Sequence, residues 1–192
     1  MQPVVIRTER LVLDLPVPAD ADVVTRACQD PLFESVLTTP WPYERRHADA
    51  FLGEHVPKGW ATGGELTWAI RANAGDPLVG MISVRETQNE IGFWMVREHR
   101  GAGVMSEAAT AVAEWVLAGG IAGASTVFWR AVVGNTGSAK VARAAGFRHI
   151  RPADSLVPDR DGNLRPAWFG VREAIVDPRA ESSWNEILGP RA

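Results

Sequence analysis

The segment richest in chemistry is Met95-Val-Arg-Glu-His-Arg100-Gly-Ala-Gly-Val-Met-Ser106, where two alternating glycines stand directly before an amphipathic run. Glycines at 101 and 103 let the main chain turn tightly and bring its N–H groups close to a ligand. The helix expected to follow starts with unpaired N–H donors and a partial positive charge. Together they make a seat for a phosphate or diphosphate, held mostly by the amides of Gly101, Ala102, Gly103, Val104, Met105 and Ser106. Arg100 is the side chain here with an obvious electrostatic use. On shape alone a simple packing turn is the alternative. The segment lacks the Lys-Ser/Thr that ends a P-loop and the third glycine of a dinucleotide fingerprint. It also follows strand-like runs instead of opening the chain, which argues against a Rossmann domain.

The elements that must position this loop follow from periodicity. Leu11–Leu15 alternates and stops at Pro16, a first strand. Pro18-Ala-Asp20 offers an N-cap for a helix carrying Val23, Val24 and Ala27. A second helix is expected over His47–His55, ending before Pro57. Leu66–Ile70 and Leu78–Val84 read as strands joined by the Asn73–Pro77 turn, and Glu90–Val96 as the next. From Val104 the spacing changes to that of a helix: Met105, Ala108, Ala109, Val112 and Val116 share one face and Glu107, Thr110 and Glu114 the other, as far as Gly119-Gly120. Ser125–Ala131 is a strand, Thr136–Ala145 a short helix, and Phe147–Leu156 with Pro166–Ala174 a closing hairpin. The order is mixed α/β (α+β), with a strand–helix–strand crossover around the loop.

Composition narrows the class. The chain has 192 residues, 46% hydrophobic, with 20 basic and 23 acidic side chains and a formal net charge of −3. That length suits a single domain over 1–192, with a core at about 5–175 and a C-terminal tail at 176–192. The charge balance argues against direct nucleic-acid or membrane-surface binding. Cys28 is the single cysteine, so an intrachain disulfide is impossible. No apolar run nears the ~20 residues that span a bilayer. A cytoplasmic, soluble protein is the expectation. His47, His55, His99 and His149 lack metal-ligand spacing, so no metal is expected.

Arg100-Gly-Ala-Gly-Val-Met105 resembles the Arg/Gln-Gly-x-Gly-x-Gly/Ala diphosphate loop of the GNAT acetyltransferases, and Ile91-Gly-Phe-Trp94 resembles their preceding strand. Thr8-Glu-Arg-Leu-Val-Leu13 is similar to the opening strand of the RimJ/RimL-like branch, which acetylates protein N-terminal amines. Asn135-Thr-Gly-Ser138 followed by Ala145-Gly-Phe147 is similar to that branch's Asn-x-x-Ser and Gly-Phe element. The resemblance spans residues 5 to 175 in order. Two positions depart from it: Met105 replaces the loop's last small residue, and Asp14 stands where the branch usually has a base.

The resemblance implies a central, mostly antiparallel seven-stranded sheet that splays between its fourth and fifth strands, Glu90–Val96 and Ser125–Ala131. It implies acetyl-CoA as cosubstrate, with its pantetheine arm paired to the exposed backbone of Trp94, Met95 and Val96. Direct attack by an amine needs no covalent enzyme intermediate, because the thioester is already activated. Ser138 is the candidate acid for the leaving thiolate, with an ordinary capping serine as the alternative. Asn135 is assigned to CoA or to the helix cap, and a backbone N–H near Met95 to the oxyanion. Glu90 is the candidate base, with a solvated strand-end glutamate or a water chain as alternatives. Lys140 and Arg143 are placed toward the CoA phosphates or on a solvated face. Glu107 matches the branch's Ser/Thr-Glu-Ala, though an acid suits any helix start. Trp41 and Trp60 are acceptor-pocket candidates whose default is core packing. Cys28 reads as a packed hydrophobe.

The expected activity is therefore N-acetyl transfer to a primary amine, first of all a protein or peptide N-terminal amine. A small-molecule amine such as an aminoglycoside-like amino sugar is the alternative, and a non-catalytic acyl-CoA sensor the alternative of another class. The expected state is monomer or homodimer.

Overall fold

The computed structural model describes residues 1–151, 156–175 and 177–190. Its strands are β1 (Ile6–Arg7), β2 (Val12–Asp14), β3 (Glu65–Arg71), β4 (Gly80–Arg85), β5 (Glu90–Met95), β6 (Thr126–Val132), β7 (Arg148–Ile150), β8 (Leu156–Pro158) and β9 (Leu164–Glu173). They form one sheet in the order β1-β2-β3-β4-β5-β6-β9-β7, with β8 hydrogen-bonded to β9. Every pairing is antiparallel except β5 with β6.

The sheet has nine strands where seven were expected. At its start, Thr8 N–H donates to Leu11 O at 3.0 Å, and this turn folds Ile6 back onto Leu13 as an extra edge pair. At its end, the expected Phe147–Leu156 strand is two pieces, β7 and β8, each pairing its own stretch of β9; residues 152–155 of that expectation lie outside the described residues. A turn at Asp159–Gly162 joins β8 to β9, with Asp159 N–H donating to Asn163 O.

The helices are α1 (Ala21–Cys28), α2 (Pro31–Val36), α3 (Arg45–Ala50), α4 (Val56–Thr62), α5 (Val104–Trp115), α6 (Thr136–Ala144) and α7 (Asn185–Leu188). The second expected helix does not stop before Pro57. A wide, π-type turn at Phe51–His55 connects α3 to α4, and Pro57 falls in the first turn of α4. There its missing N–H leaves little of the ladder broken. Helix α2 was not foreseen. Asp30 caps it by accepting from Leu32 N–H at 2.9 Å, and Pro31 occupies its first position, a favourable pairing of N-cap and N1 residues.

One face of the sheet carries α5 and α6. Ala108, Ala109, Val112, Ala113 and Val116 pack there on Ile82, Val84, Ile91, Val127 and Trp129. Small residues along α5 let the helix approach closely, and each fully buried Val, Leu or Ile contributes roughly 1.5–3 kcal/mol. The opposite face carries α1 and α3, where Val24, Cys28, Tyr43, Ala48 and Leu52 meet Ala69 and Met81. Asp14, the branch-atypical acid, has a clear role: its Oδ1 accepts from Arg71 Nε at 2.8 Å, while Arg71 Nη1 and Nη2 reach Asp20 at 2.9 and 2.7 Å. This buried group ties β2 and β3 to the start of α1. Buried ions persist only when paired in this way.

Candidate active site

Strand pairing decides where a groove opens. Strands β5 and β6 are in register only at Glu90 with Phe128 and Ile91 with Trp129. Beyond those residues the ladder ends, so Gly92–Met95 have no strand partner on the side of β6, where Met95 O accepts from Arg100 instead. A parallel pair that separates in this way exposes backbone groups which need a partner.

A cavity of about 400 Å³ occupies the opening, walled by β5, the Arg100–Ser106 loop, the first half of α6 and α2. The loop holds its shape through Gly101 and Gly103, with φ of 86° and 77°, a region costly for most side chains. Gly103 is the N-cap of α5, and the first helix bond there is Glu107 N–H to Gly103 O at 3.0 Å. The amides of Val104, Met105 and Ser106 precede that bond and have no carbonyl within the helix to meet. Glu107 locks the loop from behind: it accepts from Thr8 Oγ1 at 2.5 Å and from Arg10 Nε at 2.7 Å. Burial pushes its carboxyl upward, but the bonds from Thr8 and Arg10 outweigh this and hold it below the usual range.

Across the cavity, Asn135 caps α6 by accepting from Ser138 N–H at 3.1 Å. The Ser138 hydroxyl oxygen accepts from the indole Nε1 of Trp129 at 2.9 Å. With its oxygen engaged by a donor, that hydroxyl can direct its own proton into the cavity.

The family model for the acetyltransferase (GNAT) domain matches residues 10–148. The chain belongs to the GNAT acetyltransferase family. It is an N-acetyltransferase by that membership. The GNAT fold also appears in solved structures at low identity. One from Vibrio cholerae, assigned as a ribosomal-protein-serine acetyltransferase, superposes with a TM-score of 0.74 at 17% identity over 90% of this chain and 99% of that one. The microcin C7 self-immunity acetyltransferase MccE, solved with acetyl-CoA and AMP, gives 0.69 at 15% over 86% and 93%. RimL, a ribosomal L7/L12 alpha-N-protein acetyltransferase solved with coenzyme A, gives 0.69 at 17% over 91% and 100%. No curated protein sequence matches the chain.

In this GNAT domain, Trp94, Met95, Arg100, Gly101, Gly103, Val104, Met105, Ser106, Asn135, Ser138 and Lys140 all line the one cavity. Four candidates stand elsewhere or face otherwise. Ala102 is exposed at the tip of the loop. Val96 gives its N–H to Val79 O at 2.9 Å and packs toward α1 and α3. Arg143 turns its guanidinium to Glu181 and to Gly189 O at 2.8 Å, holding the C-terminal segment. Glu90 is buried between Arg85 and Arg130, the latter at 2.5 Å, at the closed end of the splay. Two guanidiniums occupy the two carboxylate oxygens, so neither oxygen is turned toward the cavity.

Arg100 borders the cavity, but its cation is already engaged. Nε and Nη2 donate to Met95 O at 3.1 and 2.9 Å, Nη2 lies 2.8 Å from Asp30, and the guanidinium covers the Phe33 ring at 5.1 Å. Arg10, which the sequence reading passed over, pairs its Nη2 with Glu107 at 2.6 Å, and the same nitrogen lies 3.8 Å from where a Cβ on Gly103 would stand. Also missed were Leu32, Phe33, Val36 and Leu37, the wall formed by α2 and its exit, and Trp129. The Asp30-Pro31 pair was the available signal for α2. Trp60 packs on Trp68 with rings 5.0 Å apart inside the core, and Trp41 stacks under Arg160 at 5.8 Å; neither lines the cavity. Burial pushes the Cys28 thiol up to about 12, so it stays protonated. Among the described residues no helix is long and apolar enough to cross a membrane.

Proposed function

We propose that this enzyme transfers acetyl from acetyl-CoA directly to a primary amine, most naturally the N-terminal amine of a protein or peptide. The observation that carries the reading is the splay: a strand-free β5 edge, a cavity of about 400 Å³ and a glycine-shaped helix start all meet at one place. The diphosphate suits the free amides of Val104, Met105 and Ser106, which present donors and a positive helix end. Lys140 stands on the cavity rim as the available mobile cation. The amide-bearing pantetheine arm suits the strand-free edge of Gly92–Met95, where it adds as a strand would to the groups that Arg100 leaves open. Ser138 is the acid that returns a proton to the departing thiolate, its oxygen fixed by Trp129. Glu90 serves as a strut: with Arg85 and Arg130 it pins the end from which the strands diverge. The choice of a polypeptide amine is supported by the RimL-like neighbours at the level of fold.

The test is release of free thiol from acetyl-CoA with a panel of N-terminal peptides and small amines. Turnover with peptides of free but not blocked N-terminus is the expected result. Turnover restricted to small amines would move the acceptor class, and saturable CoA binding without turnover on any amine would refute transfer.

A further inference from the structure

A second cavity, about 180 Å³, lies beside the first and shares Leu37, Phe93 and Trp94 with it. Its strand residues Glu65, Thr67, Met81, Ser83, Gly92 and Trp94 fall on the sheet face that carries α1 and α3. Two threonine hydroxyls line it without a hydrogen-bond partner among the described residues, Thr39 and the 98%-buried Thr67. A buried hydroxyl left unpaired at a cavity wall calls for a ligand group or a water.

The carboxylate in this cavity is Glu65. Its Oε1 accepts from Ser83 Oγ at 2.6 Å, and its Oε2 lies 3.1 Å from His55 Nε2. Arg85, opposite Glu65 in the strand register, gives its Nη2 to Glu90 instead. The two carboxylates at this end of the sheet therefore differ in kind. Glu90 is saturated by two guanidiniums, whereas Glu65 has one hydroxyl and one imidazole and keeps lone pairs for a further donor. His55 is half exposed and stacks on Phe51 at 5.3 Å, so it connects the carboxylate to solvent.

We propose that Glu65, with Ser83 and Thr67, forms the receptor for the acceptor's ammonium group and takes its proton; this rests on the acetyl-transfer reading above. The ammonium gives one proton to Glu65, which passes it to solvent through His55. The neutral nitrogen then bonds to the thioester carbon and the C–S bond breaks. The nitrogen's second proton leaves by the same route, Ser138 protonates the departing sulfur, and Ser138 recovers its proton from solvent. The products are an amide, a free thiol and one released proton. Trp94, common to both cavities, marks where nitrogen and thioester meet.

The probe is propylammonium, with 1-propanol as its uncharged counterpart, followed through the indole resonance of Trp94 in ¹⁵N-tryptophan-labelled full-length protein. Propylammonium is expected to shift that resonance saturably, and propanol is not. Glu65→Gln, which keeps an acceptor for Ser83, is expected to weaken propylammonium at least about tenfold. Acetyl-CoA affinity and thermal midpoint should stay at wild-type values, and KM for the best peptide acceptor should rise by a similar factor. Ser83→Ala, which keeps the carboxylate, is expected to show a smaller loss of the same kind. Wild-type propylammonium binding by Glu65→Gln, or no binding by the wild type while acetyl-CoA binds normally, would overturn the assignment. Failure of the wild type to bind acetyl-CoA would overturn the transferase reading and this one with it.

Discussion

The indole Nε1 of Trp129 donates a 2.9 Å hydrogen bond to Ser138 Oγ, linking a fully buried strand residue to the hydroxyl at the cavity wall. The bond holds the serine oxygen and leaves its proton free to be given to another group. Trp129→Phe keeps a large ring and removes only this donor. A hydrogen bond of this type is worth about 1 kcal/mol, which corresponds to about a fivefold fall in kcat. The affinity for acetyl-CoA should not change. In a Ser138→Ala background the same substitution should have no further effect on kcat, because the partner is gone. Additive losses in that double-variant cycle would assign Trp129 to packing alone.

Ser138→Ala itself should lower kcat by about 100-fold, the lower range for a positioned proton donor. KM for acetyl-CoA should move much less, since the Asn135 cap accepts from the backbone N–H of residue 138, which alanine retains. Steady-state kinetics separates the two roles: a raised KM with unchanged kcat would make the hydroxyl a binding group.

Gly103→Asp places a carboxylate where the diphosphate is expected. The position has a left-handed φ of 77° that aspartate tolerates better than most residues, and an acid at a helix N-cap favours the helix. Arg10, near that Cβ, offers the new group a partner. Folding should therefore survive while CoA affinity falls by about 100-fold or more through like-charge opposition. Calorimetric titration beside a thermal melt measures both; undiminished CoA affinity would remove the diphosphate from this loop.

Much of this site was legible because its signals are local. Alternating glycines before an amphipathic helix gave the loop, and Asn135 at a helix start gave the cap that presents Ser138. Periods of two and of 3.6 gave β2 to β6 within about two residues at either end and the start of α5 at Val104, but neither β1 nor the break between β7 and β8. What escaped depended on contacts distant in sequence. Glu90 looked free beside a polar turn, yet Arg130, 40 residues on, reaches it across the only two registered positions of a parallel pair. Arg143 looked solvated, but the C-terminal segment returns to cover it. Helix α2 has six residues, too few to show a period, and is held by Arg165 Nη1 donating to Ser35 O at 2.9 Å and by Arg160 on the carbonyls of Phe33 and Glu34. Its wall of the cavity is thus set by side chains more than 120 residues away.

Arg100 and Lys140 both border the cavity, and their contacts assign them different duties. Arg100 joins the end of β5 to Asp30 and Phe33, so Arg100→Lys should loosen α2, since a lysine cannot supply the planar fork or the same ring contact. CoA affinity should fall several-fold, with its dependence on salt unchanged. Lys140 is exposed and has no such partner in the wall. Lys140→Ala should also weaken CoA, but should flatten the salt dependence, because it removes a charge facing phosphate. Titrations at three ionic strengths check Lys140, since an unflattened slope for Lys140→Ala would remove it from the phosphates; wild-type CoA affinity for Arg100→Lys would release Arg100 from its part in holding the cavity wall.

His149 offers a pH test of how the C-terminal segment is held. Its ring lies 5.3 Å from that of Trp184, whose Nε1 donates to Phe147 O at 2.7 Å, and Ser183 Oγ accepts from His149 N–H at 2.9 Å. Burial disfavours the imidazolium and holds His149 below the usual histidine value of 6.5; nearby Arg151 acts the same way, and a hydrogen bond with Ser183 offsets only part of this. The sign follows from linkage. As pH falls below 6.5 the unfolded chain takes up a proton that the folded chain refuses, so stability declines through that window and levels off only below the folded value. Above 6.5 this group contributes no pH dependence. Thermal midpoints measured from pH 7.5 to 5 should therefore drop on the acid side, and His149→Phe, uncharged and able to stack on Trp184, should drop less. A midpoint curve for His149→Phe parallel to that of the wild type would mean that the imidazole plays no part in acid loosening of this contact.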